Sequence, residues 1–384
     1  MEVKIPLSVP NLRGRELELL GECVSGEWVS TAGPYISELE SALASYVGAK
    51  RAVACQSGTA GLHLALLEAG VKPGEAVIVP ALSFIASANP TVYCGAHPIF
   101  MDCDDSLCLD PLKLREFCER ECERRAGGLY ESLSGRRIAA IEAVHIFGNL
   151  ADMDAISKTA ADFSLPLIED ACEALGSRWE SGPLSGRYAG TVGDIGVYSF
   201  NGNKIITTGG GGMIVARDIE KLEHMRFLST QAKADTVRFI HEEIGYNYRL
   251  TNLQAAVGIA QLERLEEFIE TKKRNYELYL AEGVELLPFR EGTRPNYWFY
   301  SHPTGSLERR EKLMAALAER GIQTRPIWAL LNTLKPYRGE RAYKIERAPR
   351  WQESVLNLPC STNLTAEVVR ECARALREAE RVMA

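Results

Sequence analysis

A set of short apolar runs constrains this chain more than any other feature: AVIVP (76–80), HPIFMD (97–102), IAAIEAVHIF (138–147) and LPLIEDA (165–171). They are rich in Val and Ile, and helical segments separate several of them. Near-continuous apolar runs describe strands covered on both faces, and their alternation with helices describes a mostly parallel sheet. Open sheets of this kind hold ligands beyond the carboxyl ends of their strands. That rule singles out Asp102 and Asp170, the acids at the ends of two runs.

The rest of the chain supplies helices and a boundary. Leu39, Ala42, Leu43 and Tyr46 recur at helical spacing, and RAVACQSGTAGLHLALLEAG reads as strand, polar turn and helix, closed by Gly70. TNLQAAVGIAQLERLEEFIE (251–270) carries one long helical period, after which Pro288, Pro295, Pro303, Pro326 and Pro336 break up the pattern. We expect a large domain over 1–265, whose N-terminal segment packs on a smaller domain over 266–384. A length of 384 residues allows both to bury cores.

Charge and cysteine usage remove several function classes. A net charge of -7 offers no general attraction for nucleic acid, and Lys272, Lys273 and Arg274 read as a solvated helix face. Ten cysteines without a CxxC pair or a leader-like start, including Cys118 and Cys122 in a charged helical segment, fit a reduced cytoplasmic protein without a disulfide framework. Histidine and cysteine spacings do not suggest a metal site, and no apolar run approaches membrane-spanning length.

One lysine stands out. In DIGVYSFNGNKIITTGGGGMIV (194–215), Lys204 lies between a strand-like run and four consecutive glycines, with Phe200, Ile205 and Ile206 as neighbours. Poor hydration favours the neutral, nucleophilic form of an amine, although a lysine can also snorkel out of such a setting. Gln56-Ser57-Gly58-Thr59 at a helix start can bind an anion or simply cap the helix. Asp170, emerging from a buried strand, requires a partner or a function, or else caps the next segment. His145 reads as a satisfied structural histidine. A lysine, an acid and an anion cradle together are what pyridoxal 5'-phosphate (PLP) requires. The glycines at 209–212 do not form GxGxxG, and GxxxxGK[ST] does not occur.

The segments GEWVSTAGPYISELE, QSGTAGLHLAL, VPALSFIASANP, HIFGNLADMDAI, IEDACEALGS, GDIGVYSFNGNKIITTGGGG and YNYRLTNLQAAVG resemble, in order and spacing, those of the DegT/DnrJ/EryC1/StrS sugar aminotransferases. The similarity runs from about Trp28 to Leu262 and is looser beyond. It implies a fold-type-I, aspartate aminotransferase-like α/β architecture: a large domain with a mixed, mostly parallel sheet covered by helices, and a smaller C-terminal α+β domain.

The resemblance also implies roles. Lys204 is the lysine bonded to the PLP aldehyde, Asp170 pairs with the pyridine nitrogen, Glu173 neighbours the 3-hydroxyl and Phe84 stacks on the ring. Ser57, Gly58, Thr59 and Ser199 hold the phosphate, and Asn247 reaches it from the second subunit of a homodimer whose sites lie at the interface. Trp28, Ser30 and Thr31 approach the sugar, and Arg325 meets a diphosphate or the donor carboxylate. The implied activity is amino transfer from L-glutamate to C4 of a nucleotide-linked 4-keto-6-deoxy sugar. The segment around Lys204 is most similar to that of enzymes using UDP-2-acetamido-4-keto-2,6-dideoxyhexose in bacterial surface-sugar synthesis. The alternatives are a sugar 3-aminotransferase or dehydratase of the same family, or a non-catalytic sugar-nucleotide-binding protein on the same fold.

Overall fold

The computed structural model describes residues 3–235 and 237–383. Its centre is a sheet in which the strands Ala52–Cys55, Gly212–Ala216, Ile195–Ser199, Leu167–Asp170, Arg137–Val144, Ala76–Pro80, His97–Met101 and Ala342–Tyr343 lie side by side in that order. From Ile195–Ser199 to Ala342–Tyr343 all neighbours are parallel, and Gly212–Ala216 runs antiparallel to both of its neighbours. The sheet is therefore mixed and mostly parallel, with the expected strands at its centre.

These strands are apolar throughout because helices cover both faces. Val77, Ile78 and Val79 are fully buried, with side chains divided between two core clusters on opposite sides of the sheet. Burial of each is worth about 2 kcal/mol. The helices Pro34–Val47, Gly58–Glu68, Pro111–Arg120, Met153–Phe163 and Ile219–Ser229 belong to these layers.

After Leu265 the chain builds a three-stranded antiparallel sheet from Tyr300–Pro303, Val355–Leu358 and Arg325–Pro326, accompanied by the helices Leu307–Glu319 and Ala366–Met383. The N-terminal segment joins this part of the chain through the bridge between Ile5 and Ile322. The later chain also returns Ala342–Tyr343 to the edge of the main sheet.

Several expectations need correction. The period over 251–270 is not one helix: Asn252–Glu263 and Leu265–Ala281 meet at Arg264, whose ψ of 3° breaks the helical path without Gly or Pro to signal it. Cys122 begins the strand Cys122–Arg125 rather than continuing the helix of Cys118. Lys272 is not on a solvated face: it is buried, and Nζ donates to the carbonyls of Trp298 and Cys360 at 3.1 and 2.5 Å. Asp102 is buried with its carboxylate taken up by the protein itself, accepting from Lys113 Nζ at 2.6 Å and from the backbone N–H groups of Glu346, Arg347 and Ala348. It ties the returning C-terminal chain to the sheet.

Candidate active site

A cavity of about 840 Å³ opens at the carboxyl ends of the central strands. Ser57, Gly58, Thr59, Phe84, Asp170, Glu173, Ser199, Lys204 and Arg325 all line it. The fold brings them together from distant parts of the chain.

Lys204 lies in the connection between the antiparallel strands Ile195–Ser199 and Gly212–Ala216. Bonds from Phe200 N to Gly211 O (2.9 Å) and from Thr208 N to Phe200 O (3.0 Å) close that loop. Trp298 Nε1 donates to Asn203 O at 2.7 Å and holds the turn from outside. The Lys204 side chain is only 12% exposed, with Nζ 3.6 Å from Glu173 Oε1 and 4.1 Å from the centre of the Trp298 ring. An amine between a carboxylate and an aromatic face is positioned rather than free to roam.

Asp170 ends its strand with one carboxylate oxygen accepting from Ser87 Oγ at 2.8 Å and the other from Cys172 N at 3.1 Å. It is buried yet borders the cavity, so an anion held by neutral donors faces the space where a cation can pair with it. Glu173 Oε2 accepts from Phe147 N at 2.8 Å. Burial pushes the Glu173 carboxyl up to about 7, although nearby Lys204 pulls it down. Just behind lies the expected structural histidine: His145 Nδ1 accepts from Ala151 N at 3.1 Å, and Nε2 donates to Glu169 at 2.8 Å. Burial pushes Glu169 up, but the bond from His145 and the N–H groups of Gly193 and Gly190 hold it below its ordinary range.

The anion cradle is the start of the helix Gly58–Glu68. Ser57 caps it by accepting from Ala60 N at 3.1 Å, and the earliest N–H groups of a helix have no partner within it. Two glycines make the cradle tight. A Cβ on Gly58 would lie 2.5 Å from Cys172 Sγ, and one on Gly212 would lie 2.7 Å from the Ser57 carbonyl carbon. The glycine run after Lys204 thus lets a strand approach the helix start closely.

Phe84 is not core: it is 48% exposed, on an aromatic wall with Trp328 at 5.8 Å between ring centres. Phe147 continues the wall, 4.9 Å from Trp328 and 6.0 Å from Trp298. Sequence reasoning missed Trp298, Trp328 and Ser87. Ser87 falls inside the segment VPALSFIASANP, but nothing in a sequence pairs it with Asp170. Trp28, Ser30, Thr31 and Asn247 do not line this cavity. Asn252 pins the first segment through Trp28 O at 2.9 Å and Ser30 O at 2.6 Å, and Asn247 is an exposed residue accepting from Arg249.

The donor set suits PLP: a covalent anchor, an acid for a ring nitrogen and a helix start for a phosphate share one cavity large enough for cofactor and substrate. This is the layout of a fold-type-I PLP-dependent transferase. The chain belongs to the DegT/DnrJ/EryC1/StrS aminotransferase family, whose sequence profile matches residues 10–377. It is 36% identical over 384 residues to the GDP-perosamine synthase of Caulobacter vibrioides, covering 97% of each chain. To the enzyme of that name from Escherichia coli O157:H7 it is 35% identical, covering 97% of this chain and 98% of the other. Among solved structures, the aminotransferase TlmJ from Streptoalloteichus hindustanus superposes with a TM-score of 0.88 at 28% identity, covering 99% of this chain and 100% of that one. The chain is a PLP-dependent sugar aminotransferase of nucleotide-sugar biosynthesis. No helix among the described residues is long and apolar enough to cross a membrane.

Proposed function

We propose that the chain moves the amino group of L-glutamate to the C4 keto carbon of a nucleotide-linked 4-keto-6-deoxy sugar. The observation that carries the reading is the placement of Lys204, Asp170 and Glu173 around one cavity, with Lys204 Nζ held 3.6 Å from Glu173. PLP, when bound, supplies an electron sink that stabilises negative charge on the carbon losing its proton.

The residues divide that work. Lys204 anchors the cofactor and, when its amine is free, Nζ carries a proton to and from the reacting carbon. Asp170 holds the proton of the ring nitrogen, and Ser87 orients Asp170. Ser57, Gly58, Thr59 and Ser199 bind the phosphate, Phe84 covers the ring, and Glu173 exchanges a proton with the 3-hydroxyl. Arg325, at the cavity wall, binds the donor carboxylate or the diphosphate.

Trp28, Ser30, Thr31 and Asn247 serve the cavity of a second subunit in a homodimer. Support comes from the exposure of Trp28, Ser30 and Asn247 and from the absence of all four residues from the lining of this chain's own cavity. Mixing Lys204→Ala protein with Asn247→Ala protein tests this: activity recovered in mixed dimers supports shared sites, and none argues against them.

The relatives named GDP-perosamine synthase favour a GDP-linked acceptor over the UDP-linked 2-acetamido sugar suggested by the segment around Lys204. The work belongs to surface-sugar synthesis in the cytoplasm. Protein carrying the amino form of the cofactor, incubated with GDP-, UDP- and dTDP-linked 4-keto-6-deoxy sugars, distinguishes these readings. Mass and NMR should show a new amine at C4 with one nucleotide preferred. An amine at C3, a dehydrated sugar or no turnover would overturn the proposal.

A further inference from the structure

One wall of the cavity offers hydrogen-bond donors that the chain itself leaves unused. Gln323, Arg325 and Asn357 line it, and the antiparallel strands Arg325–Pro326 and Val355–Leu358 hold Arg325 and Asn357 in register. Gln323 lies two residues before Arg325, and residues two apart along an extended chain share a face. Both amides are oriented from behind. Leu7 N donates to Gln323 Oε1 at 3.1 Å, and a backbone N–H can bond only to the oxygen of that amide. Ser301 Oγ donates to Asn357 Oδ1 at 2.9 Å from the paired strand Tyr300–Pro303. Each oxygen is thus engaged by the protein, and neither NH2 group has a hydrogen-bond partner among the described residues.

Asn357 is only 2% exposed, so an unused NH2 there is costly unless a ligand accepts from it. Arg325 stands exposed at the rim and forms no ion pair among the described residues. The other charged side chains lining the cavity are Asp170, Glu173 and Lys204, whose roles are taken. Two amide NH2 groups and a guanidinium, with no acceptor of their own, select an anion. Position decides which anion. Ser8, beside Leu7, lines a small second hollow together with Lys204, and Ser301 follows three residues after Trp298, whose ring lies 4.1 Å from Lys204 Nζ. The donor set therefore belongs to the lysine end of the cavity. In an amino-acid donor the α-carboxylate is bonded to the very carbon that exchanges its proton with Lys204, whereas the diphosphate of the acceptor is attached at C1, across the sugar ring from C4.

We propose that Gln323 and Asn357, with Arg325, form a subsite for the α-carboxylate of the amino-acid donor. The two amides fix the direction of that carboxylate and so decide which carbon meets Lys204, while Arg325 supplies the charge. The inference rests on the reading of L-glutamate as the donor, and it assigns to Gln323 and Asn357 the discrimination between an amino acid and an amine that lacks the carboxylate.

Gln323→Glu and Asn357→Asp test it, because each keeps the oxygen that Leu7 or Ser301 bonds and replaces the NH2 with an oxygen that repels an anion. Single-turnover amino transfer from L-glutamate to holoenzyme, followed by cofactor absorbance, should need at least about tenfold more L-glutamate for half-saturation in each variant, the loss expected for a hydrogen bond to a charged group. PLP affinity and melting temperature should stay at their wild-type values. Asn357→Ala, which removes the NH2 without adding charge, should also lose about tenfold and replaces the aspartate variant if that one does not fold. With L-isoglutamine, whose α-carboxylate is an amide, wild type should show a similar loss and the variants a smaller one. In the second half of the reaction the half-saturating concentration of the nucleotide-linked keto sugar should not change. Unaltered dependence on L-glutamate in the variants overturns the inference. So does a loss confined to the nucleotide sugar, or a wild-type loss with L-glutamine, the γ-amide, in place of L-isoglutamine. A wild type that takes its amino group from a different amino acid would instead overturn L-glutamate as the donor, and the same variants then test the subsite with that amino acid.

Discussion

Gly58→Ala sets two opposing effects against each other at the cradle. Gly58 opens a helix with φ outside the left-handed region, a setting where alanine ordinarily stabilises by about 0.4–1 kcal/mol through the unfolded chain. Here the added Cβ would stand 2.5 Å from Cys172 Sγ and 3.0 Å from Ser199 Cβ. Ordinary carbon contacts lie near 3.5–4.0 Å, so the helix start or the cysteine must shift by about 1 Å. Overpacking of this kind costs about 1–3 kcal/mol, which exceeds the gain. If the helix start takes up the shift, the loss appears in phosphate binding as about a 5- to 150-fold weaker PLP affinity. Fluorescence titration of cofactor-free protein, with Trp298 in the cavity wall as reporter, measures that affinity, and urea unfolding measures the remainder. Adding Cys172→Ala removes the closer clash but not that with Ser199, so the double variant should recover most of the loss. Unchanged affinity and stability in Gly58→Ala, or no recovery in the double variant, would refute the packing argument.

Other expectations arise from the same contacts. Lys204→Ala should abolish the borohydride-trapped link to PLP and reduce turnover to background; transamination at the wild-type rate would remove Lys204 from the chemistry. Glu173→Gln should eliminate a step near pH 7 in the cofactor absorbance titration. The Glu173 carboxyl is raised on folding, so its contribution to stability falls as pH climbs from the ordinary carboxylate range towards about 7, and in the glutamine variant melting temperature should be flatter across that window. Asp102→Asn should destabilise by about 3 kcal/mol, because it breaks a buried pair with Lys113 and weakens three amide bonds, while PLP affinity stays within about twofold. A loss of cofactor binding without a loss of stability would return Asp102 to the site.

What the sequence reveals depends on whether the physical cause is local. The central strands are legible because two-sided burial leaves uninterrupted apolar runs, and Lys204 because a lysine beside apolar residues and glycines breaks the usual composition of a surface. Asp102 and Asp170 look alike in sequence, each an acid at a strand end, and only tertiary contacts separate them: Asp102 meets Lys113 and three amides of the returning chain, whereas Asp170 meets Ser87 and the cavity. Lys272 illustrates the opposite case. Leu265, Phe268, Ile269, Lys272 and Tyr276 occupy the buried stripe of one helix at helical spacing, so its inward phase is present in the sequence. Reading the basic run as a unit conceals it. Trp298 and Trp328 cannot be assigned from sequence at all, since their link to Lys204 and Phe84 is made across the cavity.

The four glycines after Lys204 connect these levels. Gly209, Gly211 and Gly212 do different things: the first takes a left-handed φ of 78° in open space, the second has a φ of 158° against Thr208 and Leu250, and the third abuts Ser57 and Gly58. The run therefore does more than turn a loop. Gly212 pairs with Cys55 on one side and Ser199 on the other, so the strand it begins lies between the strand leading into the cradle and the strand leading into the Lys204 loop. A side chain at Gly212 would force that strand away from the helix start and separate the phosphate end of the cavity from its lysine end. Glycine at this position sets the spacing between an anion cradle and an amine that must grip opposite ends of one small molecule, and that spacing depends on the third strand between them.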